Sequence, residues 1–427
     1  MSARPNFVFI LADDLGYADL GCYGGRAPVS PSIDRMAAQG LRFSNAYSNS
    51  PVCSPTRFAL MTGRWQYRLR AGADEPIASR ARGSPVLGLP PEHPTLPSLL
   101  RDAGYATALA GKWHLGYLPH FGPLKSGYQE FFGVMAGGVD YFTHCDPYGV
   151  HDLFEGETEI LRQGYLTDLI SERAVDFIER QRKAPFLLSV HYTAPHWPWE
   201  SRDDEAESRR IHKAIVHLDG GSIETYRKMI RHMDEGVGAI LKALRRIGAA
   251  ENTLVVFTSD NGGERFSDNW PLVGGKMDLL EGGIRVPLVA RWPARLPAGK
   301  VDKRLVITMD WTATMLDAAG VSPDPGFPLD GMVVRAVRAN RELFWRMKYR
   351  NQKAMRAGSY KYLSLEGHDF LFNLAKDARE RANLASREPE RLEAMRRRYA
   401  DWEATVPPIP PDARVSTIFD RTNMALP

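Results

Sequence analysis

Three short apolar runs, each ending in a cluster of polar residues, constrain this chain more than any other feature. Asn6 to Leu11 stops at Ala12-Asp13-Asp14-Leu15-Gly16, Phe186 to Tyr192 stops at Thr193-Ala194-Pro195-His196, and Leu254 to Thr258 stops at Ser259-Asp260-Asn261-Gly262-Gly263. Apolar runs of this length, closed by polar loops, predict buried strands. Open α/β sheets place their sites just beyond the carboxyl ends of such strands, so the polar clusters are the first place to look for chemistry.

Helical crossovers fill the gaps. From Tyr226 through Met229, Met233, Val237, Ile240 and Leu244 the apolar spacing alternates three and four, and Gly248 follows as a stop. Thr167 to Gln181 repeats the pattern, while Pro97 to Ala103 (stopped by Gly104) and Ser32 to Gln39 (stopped by Gly40) predict shorter helices. The expected fold class is α/β, with a large, mostly parallel sheet sandwiched by helices. After about residue 340 the texture changes. Lys353 to Arg356, Tyr360 to Leu365 and Phe370 to Phe372 predict a small antiparallel sheet. A helix with Leu392, Met395, Tyr399 and Trp402 on one face follows, then a tail from Pro407 to Pro411 that cannot continue it. The expected organisation is a main domain over 1–340 and a C-terminal subdomain over 341–427.

Several function classes are disfavoured. The net charge is +4, from 55 basic and 51 acidic residues, and the basic run Arg396-Arg397-Arg398 reads as the solvated face of a helix, so no nucleic-acid partner is expected. No apolar span approaches the roughly 20 residues a membrane helix needs. Cys22, Cys53 and Cys145 are too few for a disulfide framework. Met1 to Pro5 leads straight into the first apolar run without a cleavable signal pattern, so the expected location is cytoplasmic, or periplasmic or secreted if a leader was removed.

Asp13 and Asp14 follow one strand, and Asp260 and Asn261 follow another far away in sequence. Four oxygen donors could thus meet at one sheet edge, and hard oxygen ligands favour Ca²⁺ or Mg²⁺ over zinc. The bland alternative is a pair of strand-end turns. Cys53-Ser54-Pro55-Thr56-Arg57 opens a short helix closed by Gly63, placing Cys53 just before an anion-favouring helix N-terminus; a small buried hydrophobe is the competing reading. Lys112 and Lys276 follow glycines that allow close approach, although a solvated lysine is the default. His114 and His196 stand in polar loops, where a rigid structural role competes with a catalytic one. His120, His151, His212, His217, His232 and His368 read as structural or exposed.

Cys53-x-Pro55-Thr56-Arg57 followed by Leu60-x-Thr62-Gly63-Arg64 resembles the signature of the type I sulfatase family, of the alkaline phosphatase superfamily, in which the cysteine is converted to formylglycine. Further blocks match in the family's order: Asn6 through Tyr17, Gly111-Lys112-Trp113-His114-Leu115-Gly116, Ala194-Pro195-His196, Ser259 to Gly263, and Gly275-Lys276 on to Glu281-Gly282-Gly283-Ile284-Arg285-Val286-Pro287. Phe370 to Leu374 and Glu380 to Leu384 match the family's ending.

The resemblance implies a sulfuric ester hydrolase acting on a carbohydrate or aryl sulfate. One divalent cation, Ca²⁺ or else Mg²⁺, would be bound by Asp13, Asp14, Asp260, Asn261 and an oxygen of modified Cys53. Arg57 and Lys112 would hold the formylglycine hydrate, His114 would be the base that collapses the sulfated intermediate, and His196 and Lys276 would bind sulfate and protonate the leaving oxygen. A formylglycine-generating enzyme is the implied partner during maturation. The chemistry explains the modification, because a thiol would be trapped as a stable adduct whereas a geminal diol can attack with one oxygen and expel sulfate through the other. Asp140 and His144 fall where related glycan sulfatases carry pocket residues, and Trp197, Trp199 and Trp270 are candidates to stack on a ring or simply to pack the rim. Two rivals are a phosphonate monoester or phosphodiester hydrolase of the same superfamily and a non-catalytic anion-binding protein.

Overall fold

The computed structural model describes residues 4–181, 184–212, 215–216 and 219–416. Its centre is a ten-stranded sheet ordered β11 (Lys300–Asp302), β2 (Leu41–Phe43), β10 (Leu288–Arg291), β9 (Thr253–Ser259), β1 (Asn6–Ala12), β8 (Phe186–His191), β4 (Ala106–Lys112), β5 (Glu130–Val134), β6 (Phe154–Glu155) and β7 (Thr158–Glu159). The inner strands β9, β1, β8, β4 and β5 run parallel. The three expected apolar runs are therefore neighbours, with β1 between β8 and β9. Residues Phe7 to Ala12 of β1 are buried throughout, as a strand covered on both faces requires. Antiparallel pairing enters only through β10 and the small β6–β7 edge.

Two packs of helices cover the sheet. One joins α1 (Pro31–Ala38), α4 (Leu166–Arg180) and α6 (Ile223–Arg246); the other joins α2 (Cys53–Thr62), α3 (Leu96–Asp102) and α8 (Asp310–Ala319). The expected crossover helix is α6, whose start is fixed by the Ser222 side chain accepting from the Thr225 N–H at 3.0 Å, and whose inward face is Tyr226, Met229, Met233, Val237, Ile240 and Leu244. Shorter helices are α5 (Glu205–Ile211) and α7 (Glu281–Ile284). Among the described residues no helix is long and apolar enough to cross a membrane.

The C-terminal part holds the antiparallel sheet β13 (Glu342–Arg346), β14 (Lys353–Ala357), β15 (Tyr360–Leu365) and β16 (His368–Asn373), covered by α9 (Pro389–Glu403). Sequence reading found β14 to β16 and missed β13. This sheet shares an apolar cluster with Val52, Cys53 and Ala59 at the start of α2, and the Trp345 indole donates to the Ser48 carbonyl at 2.9 Å. A two-stranded parallel ribbon pairs β3 (Ala46–Tyr47) with β12 (Val306–Ile307), and Tyr47 and Ile307 belong to the same apolar cluster.

Candidate active site

Four strand ends supply the site. Asp13 and Asp14 follow β1, Lys112 ends β4, His196 lies in the loop after β8, and Asp260 and Asn261 follow β9. Cys53 comes from α2, of which it is the first helical residue rather than the residue before it; Gly63 closes that helix in the left-handed conformation at φ +66°. Every residue from Cys53 to Thr62 is buried. The Thr56 hydroxyl exchanges hydrogen bonds with both backbone groups of Ser50 at 3.0 Å, which fixes the approach to the helix.

Around that helix head the charges interlock. The Arg57 guanidinium donates to Asp260 Oδ2 at 2.8 and 3.1 Å and to the Lys112 carbonyl at 3.1 Å, and lies 3.7 Å from Asp13. The Lys112 ammonium pairs with Asp13, and Lys276 reaches Asp14 Oδ2 at 2.7 Å. His196 Nε2 stands 3.6 Å from the same Asp14 oxygen, while its Nδ1 lies 2.7 Å from the Trp197 carbonyl. Asn261 donates to Asp14 Oδ1 at 2.6 Å. Asp14, His114 and Met277 all take left-handed backbone conformations, at φ +63°, +59° and +75°. Such strain, of order 1–3 kcal/mol per residue, persists where surrounding structure over-determines it.

The donor set fits a divalent cation. Asp13 Oδ1 and Asn261 Oδ1 are buried with no hydrogen-bond partner among the described residues, and ligand atoms of Asp13, Cys53 and Asp260 lie within 4.8 Å of one another, as do those of Asp13, Asp14 and His196. Unpartnered buried oxygens of this kind are costly unless something positive meets them. The titration behaviour agrees. Burial opposes the Asp13 charge, yet Lys112, His196 and Arg57 outweigh it and hold the carboxyl well below its usual range. Burial and the Asp13 charge together push Asp260 up to about 7, a frustration that a cation between the two carboxylates would relieve.

Burial pushes the Cys53 thiol up to about 11, against the pull of Lys112 and Lys276, so the encoded side chain is a neutral thiol and a poor nucleophile. Burial also drives His114 well below its ordinary value, with Lys112 adding to the effect. Its Nε2 lies 2.7 Å from the Ile77 carbonyl, and its Nδ1 has no partner among the described residues. Burial and Lys276 lower His196 to about 4. Lys276, opposed by burial, is held charged by Asp14 and Glu264.

All ten expected metal-binding and catalytic residues converge here. The hydrogen bonds of the two substrate candidates are made within the loop that carries them and to its neighbours. Asp140 accepts from the Phe142 and Thr143 N–H groups and from the Ser208 hydroxyl, and His144 lies 3.2 Å from the Gly164 carbonyl; both are buried and brace their own loop. Trp197 and Trp199 are buried, whereas Trp270 is half exposed, with the Arg379 guanidinium 4.6 Å from its ring centre. Sequence reasoning missed Glu264, a carboxyl pushed up to about 7 by burial beside Lys276, and His191, whose Nδ1 lies 3.3 Å from the Lys112 carbonyl. Neither carries a sequence signal beyond its place just after a strand or at its end. His217 lies outside the described residues.

A parallel-sheet edge that gathers buried acids beside a ring of cationic side chains defines an α/β protein whose candidate site suits a cation and an anion together. The family model described as Sulfatase matches residues 5–321, and the chain belongs to the sulfatase family. It is similar to N-acetylgalactosamine-6-sulfatase of Canis lupus familiaris, with 36% identity over 355 residues, which is 77% of this chain and 65% of that protein. The match to the Homo sapiens protein of that name is also 36% identical and takes in 64% of its length, so the chain spans just under two thirds of these relatives. Among solved structures, Ps i-CgsB in complex with k-i-k-neocarrahexaose is similar at TM-score 0.82 and 31% identity, covering 94% of this chain and 93% of that one. PsFucS1 sulfatase from Pseudoalteromonas sp. is similar at TM-score 0.74 and 26% identity, covering 94% and 91%.

Proposed function

We propose that this chain hydrolyses sulfate monoesters of carbohydrates, using Cys53 oxidised to formylglycine and one divalent cation, Ca²⁺ in preference to Mg²⁺. The observation that carries the reading is the pair of buried, unpartnered oxygens on Asp13 and Asn261 beside Cys53, ringed by Arg57, Lys112 and Lys276. The name of the N-acetylgalactosamine sulfatase relative and the glycan in the Ps i-CgsB title support a carbohydrate over a simple aryl ester.

Asp13, Asp14, Asp260 and Asn261 would hold the cation, which supplies fixed positive charge opposite the sulfuryl oxygens; the formylglycine hydrate supplies an oxygen nucleophile with a second hydroxyl for release. Arg57, locked by Asp260 and the Lys112 carbonyl, is preorganised and needs no rearrangement during reaction. Lys112 and Lys276 orient the anion. His114 is neutral, with Nδ1 bare, and is the proton acceptor. His196 directs Nε2 toward Asp14, and an anion bound there raises its proton affinity so that it can donate to the leaving oxygen. Since Cys53 to Arg57 are buried, the formylglycine-generating enzyme must act before the chain folds.

The test is sulfate release from a carbohydrate sulfate, alongside an aryl sulfate and an aryl phosphodiester, by protein whose conversion at Cys53 has been measured by peptide mass spectrometry. Cys53→Ala is expected to lower turnover at least about a thousandfold, and chelation to abolish it until Ca²⁺ or Mg²⁺ is restored. Activity that survives Cys53→Ala, or a diester preferred by orders of magnitude, sinks the proposal.

A further inference from the structure

We propose that Ser54 is a positioning residue that sets the tautomer of His114 through Ile77, an inference that rests on His114 being the base. Ser54 is the second residue of α2, is fully buried, and its hydroxyl oxygen accepts from the Ile77 N–H at 2.9 Å. The other polar group of Ile77, its carbonyl, lies 2.7 Å from His114 Nε2. A carbonyl can only accept, so Nε2 carries the hydrogen, and a neutral imidazole then presents Nδ1 as its bare lone pair. That Nδ1 is buried and has no partner among the described residues, as a base awaiting its proton should be.

Two neighbouring anchors show why Ser54 has this work to do. The chain leading to Ile77 is braced at Glu75, whose carboxylate accepts from the Lys348 and Tyr349 N–H groups of the C-terminal subdomain at 2.7 and 2.9 Å. Beyond Glu75, the N–H of Ile77 is fixed by Ser54. The imidazole is likewise aimed by a left-handed backbone at φ +59°, with the His114 N–H donating to the Met135 carbonyl at 3.2 Å. Since Ser54 adjoins Cys53, one helix head places the nucleophile and, two hydrogen bonds away, the lone pair of its base.

The experiment compares the formylglycine-bearing full chain with Ser54→Thr and Ser54→Val. Threonine keeps the hydroxyl and valine replaces it at equal volume, so the pair separates the oxygen from the packing. Ring-nitrogen NMR of ¹⁵N-histidine protein, with His114 assigned from His114→Gln, reads the tautomer; steady-state kinetics per converted molecule read turnover. The native chain and Ser54→Thr are expected to hold a single Nε2–H form. In Ser54→Val at least about a quarter of His114 should carry the proton on Nδ1, with kcat down about ten- to a hundredfold and KM within about twofold. An unchanged His114 tautomer in Ser54→Val overturns the proposal, whatever happens to kcat. If the native chain releases no sulfate while Ser54→Val still shows the tautomer shift, the function proposed above falls and the Ser54 linkage stands.

Discussion

At the scale of single residues, burial decides which side chains are charged. Glu200 is fully buried, and desolvation, reinforced by the Asp140 charge, pushes it up to about 9. Glu200 Oε1 and Asp140 Oδ2 both lack a donor among the described residues, and a proton kept on Glu200 satisfies the two at once. The Tyr141 N–H that donates to Glu200 at 3.2 Å belongs to the same residue whose hydroxyl holds the His196 carbonyl at 2.9 Å, so this carboxyl pair sits behind the His196 loop. The folded pKa is raised above the unfolded value of 4.5, so the stability Glu200 contributes is complete below about 4.5 and is lost as pH rises through 9. Glu200→Gln cannot ionise. Its melting temperature relative to the native chain should rise steadily between pH 5 and 9, and a constant difference across that range would refute the shared proton.

At the scale of elements, what the sequence made legible was what periodicity and turn chemistry encode. The three apolar runs are β1, β8 and β9, the three-and-four spacing from Tyr226 is α6, and Gly63 ends α2 where a left-handed residue is needed. β13 went unread because Glu342-Leu343-Phe344-Trp345-Arg346 is too short to show a period, and the Ile77 carbonyl because a backbone acceptor has no sequence signature. The tryptophans were ambiguous for a related reason: an indole beside a loop looks the same buried, as Trp197 is, or half exposed, as Trp270 is. Glycines were more informative than they looked. Gly111 pairs with His191 across β4 and β8 at φ +116°, and a Cβ there would stand 1.9 Å from the His191 carbonyl oxygen. Gly111→Ala must therefore spread the two strands and tilt Lys112 away from Asp13. The expected cost is at least about 2 kcal/mol of unfolding free energy by urea titration, with turnover reduced more than in proportion to any loss of folded protein.

At the scale of the whole molecule, the catalytic edge and the C-terminal sheet are joined through buried charge. Lys361 of β15 is fully buried between Glu281, at 3.1 Å, and Glu380, at 2.8 Å. Glu281 heads α7, receives the Tyr47 hydroxyl at 2.7 Å, and donates its own N–H to Glu380 at 2.7 Å. The Gly283 carbonyl of α7 in turn accepts from the Gly262 N–H at 2.9 Å, next to Asn261. A chain of contacts thus runs from the small sheet to Asn261, one of the proposed cation ligands. Removing one partner of a buried ion pair strands the others, at about 3–5 kcal/mol, whereas neutralising both sides is often nearly free. Lys361→Met should therefore destabilise by that amount in urea and weaken Ca²⁺ binding measured by titration calorimetry. Adding Glu380→Gln should recover part of the stability, because burial and Glu281 already raise the Glu380 carboxyl above its usual range. Equal destabilisation by the single and double variants, with cation affinity untouched in both, would mean that the small sheet only packs against the edge and does not hold it.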